Sequence, residues 1–275
     1  MNSYDPFLSL GGRTHGSRVP QQTGFSYCSL TGFGLGISGL AAEGARVAMA
    51  ARSPSSLTRE AEALARSNKT EMLPLTMDLC DPSSIGRGVD EVIRRWGGVD
   101  ILITSTPGPL AGEFVTISRE SWQTALDMVV FPVIDLLHRV IPSMRANGDG
   151  RILCITTIGV KTLQPGMVLS TATRLAITGI AKTLSFELAH DNILVNTLCP
   201  GLTDTDRMVD LIEFTQKEKG ISREAAEAVW LDKVPLRRMG RAEHFGKLAA
   251  VLVSDVASYV TGAAVSVDGG KARAF

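Results

Sequence analysis

Short apolar runs alternate with longer stretches whose apolar residues recur every three or four positions, and this alternation continues through most of the chain. The short runs read as strands, because a strand buried on both faces of a parallel sheet needs no polar alternation. They are Ala45 to Ala51, Glu71 to Met77, Val99 to Ile103, Arg151 to Ile155, Asn192 to Leu198 and Ala263 to Gly270. Phe25 to Leu30 is a poorer candidate, with two serines and a tyrosine among its residues. The longer stretches read as helices. Ser53-Pro54 and Asp81-Pro82 each set an N-cap residue before a proline at the first helical position, opening helices that run to Ala65 and Trp96. Gly97-Gly98 stops the second. Trp122 to Met144, Ser222 to Leu231 and Leu236 to Ser254 are further helical stretches, and Leu175, Ile177, Ile180, Leu184 and Leu188 give Ser170 to His190 one apolar face. Strands alternating with helices predict a single doubly wound α/β domain over residues 25–275, its parallel sheet covered by helices on both faces. Residues 1–24 hold few core residues and are expected to form a disordered tail.

Composition narrows the function classes. With 275 residues, 44% of them hydrophobic, the chain can bury one substantial core. Its 28 basic residues balance 28 acidic ones, so no global field draws it to nucleic acid or to an anionic membrane. The longest apolar candidate for a membrane span, Met128 to Met144, is interrupted by Asp135, His138 and Arg139. No apolar stretch near the N-terminus is long enough for a signal peptide, so a soluble, cytoplasmic protein is expected. Cys28, Cys80, Cys154 and Cys199 are widely spaced, and neither they nor the four histidines form a ligand pattern, so no metal is expected.

Candidate chemistry gathers where strands end, because open α/β sheets bind ligands beyond the carboxyl ends of their strands. Gly32, Gly34, Gly36 and Ile37 form a glycine-rich turn whose backbone amides could meet a pyrophosphate at a helix N-terminus. Arg52 follows the strand ending at Ala51, with no carboxylate at Ala50, Ala51 or Ser53. Dinucleotide folds put an acidic residue there for NAD and an arginine nearby for NADP, so the reading favours NADP(H) over NAD(H). Thr156, Thr157, Lys161 and Gln164 fill the loop after the strand ending at Ile155.

Several of these segments together resemble the short-chain dehydrogenase/reductase family, over nearly all of Thr31 to Gly270. The turn from Thr31 to Ile37 is similar to the family's Thr-Gly-x-x-x-Gly-Ile-Gly, with Ser38 at its last glycine. Only seven residues separate Gly36 from Gly44, roughly five fewer than such a first helix normally spans, which removes more than one turn at ~1.5 Å per residue. The family's catalytic Ser, Tyr and Lys fall on Thr157, Ser170 and Arg174, so its Tyr-x-x-x-Lys motif reads Ser-x-x-x-Arg here. Val129 falls on its catalytic-network Asn. Asp78 falls where the family sets an Asp against adenine, Thr104 where its Asn pair begins, and Pro200, Gly201 and Thr205 on the Pro-Gly-x-x-x-Thr that lies against nicotinamide. Arg174 could also hold a ribose or phosphate.

The resemblance implies a Rossmann-like fold and NADP(H)-dependent hydride transfer to or from a carbonyl/alcohol substrate, as in 3-oxoacyl reductases. It also implies a lid over residues 204–235 and a homodimer or homotetramer. A serine alcohol starts far above a phenol in pKa, so a variant mechanism needs another acid, for which Lys161 and Asp204 are the nearest by sequence. The alternative is a catalytically silent dinucleotide-binding or assembly protein of the same fold.

Overall fold

A buried strand shows alternate residues to opposite faces of its sheet, and the central strands here use that alternation to feed two cores. The computed structural model describes residues 23–27 and 35–273. Its strands are β1 (Thr23–Tyr27), β2 (Arg46–Ala51), β3 (Met72–Thr76), β4 (Ile101–Ser105), β5 (Gly150–Ile155), β6 (Ile193–Pro200) and β7 (Ala264–Val267). Its helices are α1 (Leu35–Ala42), α2 (Pro54–Asn68), α3 (Pro82–Trp96), α4 (Arg119–Val129), α5 (Phe131–Asn147), α6 (Val168–Glu187), α7 (Asp206–Lys219), α8 (Arg223–Leu231) and α9 (Ala242–Leu252). The strands form one sheet in the order β3-β2-β1-β4-β5-β6-β7, every pair parallel. The winding direction reverses between β1 and β4, the place where open α/β sheets leave a crevice at their carboxyl ends.

Leu102, Ile152 and Cys154 join one core with Val89 of α3, Leu136 of α5 and Ile177 of α6. Their chain neighbours Ile101, Ile103, Leu153 and Ile155 join the other, with Leu40 of α1, Leu57 of α2 and Phe245 of α9. Each fully buried aliphatic side chain contributes about 1.5–3 kcal/mol, and burial on both faces is why β4, β5 and β6 carry no solvent-facing polar alternation.

Several boundaries differ from the sequence expectation. Strand β1 takes Thr23 and Gly24 out of the expected tail, because their backbone pairs with β2 and Gly24 also pairs with β4, an arrangement that needs no apolar side chain. Its described part is Thr23–Tyr27, and the expected continuation to Leu30 lies outside the described residues. The stretch expected as one helix from Trp122 to Met144 is two, parted at Val130, because Pro132 has no N–H to continue α4. Helix α9 starts only at Ala242, since the preceding backbone is drawn into a bridge between Thr203 and Gly240. The expected lid segment contains a second helix, α7, and Met208, Ile212 and Ala226 form a small core between α7 and α8. Ser53 precedes α2 in extended conformation but makes no side-chain cap bond, whereas Asp81 accepts from Ser83 N at the start of α3.

Helix α1 has only eight residues, in keeping with the short spacing from Gly36 to Gly44. It packs on α9 at backbone distance: a Cβ on Gly39 would stand 2.4 Å from the Gly246 carbonyl oxygen. No helix among the described residues is long and apolar enough to cross a membrane.

Candidate active site

A cavity of about 340 Å³ opens at the carboxyl ends of β4, β5 and β6. Ser105 and Thr106 border it from β4, Thr156 and Thr157 from β5, and Pro200 and Gly201 from β6. The first turns of α6 add Ser170 and Arg174, and Met208, Leu211 and Trp230 reach it from the α7–α8 hairpin. The loop after β4 is tied to the loop before α6 by a bond from Gly112 N to Gly166 O of 2.8 Å, which closes one side.

Thr157 caps the short 3-10 turn Ile158–Val160, its Oγ1 accepting from Gly159 N at 3.3 Å. Its hydroxyl hydrogen remains available to a ligand. Ser170 lies on the same cavity, in the first turn of α6, with its backbone carbonyl taken by Thr173 Oγ1 at 3.3 Å. Thr205, also on the cavity, precedes α7 without making a side-chain cap. Gly201 is required by a close approach: a Cβ there would meet Asp268 Cα and Cβ at 2.6 Å, so only glycine lets the β6 exit cross the turn after β7.

Arg174 is buried, and all four of its terminal N–H bonds are directed at this protein's own chain. Nη1 donates to Thr106 Oγ1 at 2.8 Å and Ile155 O at 3.3 Å, while Nη2 donates to Thr106 O at 2.7 Å and Pro107 O at 3.0 Å. Burial pulls its guanidinium down to about 10, which still leaves a cation at neutral pH. These bonds make Arg174 a clamp between the ends of β4 and β5, on the wall of the cavity where a ribose or phosphate contact was expected.

Other expected site residues lie elsewhere. Thr104 is buried inside β4, its hydroxyl bonded to the Cys154 thiol, because strand alternation turns it into the core while Ser105 and Thr106 border the cavity. Val129 is a fully buried core residue of α4. Lys161 does not line the cavity; its charge acts on Cys199, whose thiol burial holds above the usual range. Asp204 is exposed and borders a second cavity of about 240 Å³ beside Arg223 and Arg238. Neither proposed acid therefore meets Thr157 and Ser170.

Arg52 is exposed just past β2, and both it and Asp78 act electrostatically on Cys80, so the ends of β2 and β3 bring them into one neighbourhood. The Asp78 carboxylate accepts from Cys80 N at 3.0 Å, which shapes that loop. Gly36 and Ile37 belong to α1 itself rather than to a turn before it, while Gly32 and Gly34 lie outside the described residues. Among the described residues no group of His, Cys, Asp and Glu could hold a metal ion.

Among the cavity residues that the sequence pattern did not single out, one carries a charge. Lys271 follows the Asp268-Gly269-Gly270 turn and lines the same cavity as Thr157 and Ser170. The signal available was its position one turn past the last strand, at the carboxyl edge of the sheet.

A family model described as enoyl-(acyl carrier protein) reductase matches residues 30–272. The chain belongs to the short-chain dehydrogenase/reductase family. Within that family it is 31% identical over 214 residues to NADPH-dependent reductase BacG of Bacillus subtilis, covering 77% of this chain and 82% of that protein. It is 28% identical over 271 residues to dehydrogenase/reductase SDR family member 4 of Oryctolagus cuniculus, covering 96% and 98% of the two chains. The structure of L-sorbose reductase from Gluconobacter frateurii, complexed with NADPH and L-sorbose, superposes with a TM-score of 0.87 at 26% identity, covering 94% of this chain and 99% of that one. The shared short-chain dehydrogenase/reductase fold accounts for the sheet order and for a cavity at the carboxyl ends of β4 to β6.

Proposed function

We propose that the protein is an NADP(H)-dependent oxidoreductase of variant mechanism, acting on a small carbonyl/alcohol substrate in the manner of a 3-oxoacyl reductase. The observation that carries this reading is the meeting of Thr157, Ser170, Pro200, Gly201 and Thr205 around one cavity at the sheet's carboxyl edge. The residues fit a nicotinamide dinucleotide at both ends: Pro200, Gly201 and Thr205 offer a wall at the reacting end, and exposed Arg52 offers a cation where a 2′-phosphate would be read. NADPH-dependent relatives support the same choice of cofactor. When bound, the cofactor supplies or accepts the hydride.

The remaining chemistry belongs to this chain. Thr157 donates its hydroxyl hydrogen to the substrate oxygen, and Ser170 presents a second hydroxyl to the same cavity. Arg174 cannot lend a proton, but its fixed positive charge beside the cavity favours negative charge developing on that oxygen. The α7–α8 hairpin, with Trp230 held by its Nε1 bond to Thr215 Oγ1 at 3.1 Å, serves as the lid that excludes water. A cytoplasmic setting fits the free thiols of Cys80, Cys154 and Cys199. Exposed Phe131, Leu175 and Phe186 on α5 and α6 support a homodimer or homotetramer.

One observation favours the second reading, a catalytically silent dinucleotide-binding protein: every terminal N–H of Arg174 is spent on the fold. Titration with NADPH and NADH, followed by NADPH consumption with a panel of ketones and acyl thioesters, separates the two. Turnover above background supports the enzyme, binding without turnover the silent protein, and failure to bind either dinucleotide sinks both.

A further inference from the structure

Among the described residues, the cavity beside Thr157 and Ser170 is lined by two cations, Arg174 and Lys271, and by no carboxylate. Arg174 is fully engaged with backbone and hydroxyl oxygens, so its charge is fixed but its N–H groups are taken. Lys271 is different. It is half-buried, and its amine forms no ion pair or hydrogen bond among the described residues.

The carboxylate that acts on it, Asp268, makes no ion pair with it. Asp268 spends both carboxylate oxygens on the turn that carries Lys271, accepting from Gly270 N at 3.0 Å and from Ala272 N at 2.6 Å. A second cation, Lys233, stands near enough to repel Lys271, with its own amine over the Trp230 ring at 4.9 Å. Burial first, and then Lys233, hold the Lys271 amine below the usual lysine range, against the opposing pull of Asp268. The other walls are apolar or neutral, among them Met167, Leu202, Met208 and Leu211.

A half-buried cation with no ion pair, in a cavity whose described lining carries no carboxylate, is completed by an anionic group on the ligand. We infer that Lys271 is the specificity-determining residue of this site and that the substrate is an anionic carbonyl compound, its carboxylate paired with Lys271 and its carbon chain against the apolar wall. This rests on the proposed oxidoreductase reading, but it names a property of the binding site that can be measured without turnover. Lys271 recognises charge; it takes no part in proton transfer. The same anion chemistry is present in a cofactor phosphate, so the test separates the two sources.

Trp230 lines the cavity and supplies the readout. Acetoacetate and longer 3-oxo carboxylates, with their methyl esters, are titrated into the full-length protein while tryptophan fluorescence is followed, with Trp230→Phe as the control that assigns the signal. The carboxylates are expected to bind at least about tenfold more tightly than their esters. Lys271→Met should abolish that difference by weakening only the carboxylates, Lys271→Arg should retain it to within about threefold, and both should leave NADPH affinity within about twofold of the parent. Equal binding of acids and esters, a preference that survives Lys271→Met, or no binding of any member overturns the inference. So does a Lys271→Met variant that weakens NADPH while leaving the carboxylates alone, since the cation then serves the cofactor. Failure to reduce any carbonyl would instead refute the oxidoreductase reading and leave a measured carboxylate preference standing.

Discussion

Replacing Arg174 by methionine tests whether this residue is a structural clamp. The change keeps most of the side-chain volume but removes four donated bonds, at 2.8, 3.3, 2.7 and 3.0 Å. Bonds from a charged donor contribute about 1.5–3 kcal/mol each. Counting the three shortest gives a gross loss of about 5–9 kcal/mol. Two effects offset it. Removing a cation that burial has pulled down to about 10 relieves a desolvation penalty of roughly 3 kcal/mol. Water entering from the cavity can also satisfy Pro107 O, which is only half-buried. The net expectation is a loss of about 2–5 kcal/mol, in the range found when one member of a buried charged network is removed.

Urea unfolding at fixed protein concentration measures this loss as a lower midpoint with an unchanged slope. Thr106→Val should add little in the Arg174→Met background, because both changes remove the same bond. Arg174→Lys should recover part of the loss, since an ammonium can reach one or two of the acceptors but cannot span them as a planar fork does. A fall below about 0.5 kcal/mol in Arg174→Met would refute the clamp. It would also reopen the ribose role, because the guanidinium would then be free to turn toward a ligand. The same arithmetic bears on the double change Ser170→Tyr with Arg174→Lys, which restores the family motif at the expense of the clamp and is expected to be less stable than the parent whatever it does to turnover.

Arg52→Asp should weaken NADPH by about tenfold or more while leaving NADH nearly unchanged, and equal affinities in the parent that persist in the variant would remove the basis for NADP(H) preference. Gly201→Ala forces a Cβ to within 2.6 Å of Asp268, so it should cost about 1–3 kcal/mol in urea unfolding and loosen the turn that carries Lys271; a change within about 0.5 kcal/mol would contradict the close approach. If the protein reduces carbonyls, Thr157→Val should lower kcat by about tenfold to a thousandfold, because it removes the hydroxyl assigned to the substrate oxygen. Ser170→Ala should change kcat by no more than about threefold, since a serine without a tuned base supplies little general-acid catalysis. Collapse of turnover in Ser170→Ala would reverse those roles.

What the sequence determined by itself was the order and kind of the main elements. Hydrophobic period and punctuation are local quantities: the apolar runs of β2 to β7 and the proline and glycine signals bounding α3 depend on near neighbours, and each stands close to where it was read. The family motif likewise carried Thr157, Ser170, Pro200, Gly201 and Thr205 to one cavity, because those spacings follow strand and helix ends that the fold holds in place. What the tertiary structure decided was which groups face one another across long separations. Arg174 meets Thr106 and Pro107, Lys271 meets the cavity of Thr157, and Asp204 turns to a different one, all through contacts between segments far apart in the chain. The start of strand β1 belongs to the same class: the sequence pattern began it at Phe25, and pairing with β2 and β4 on either side carried it back to Thr23. Local pattern selects an element because it is a near-neighbour property, whereas a side chain's charge partner or cavity is set only after distant elements have packed.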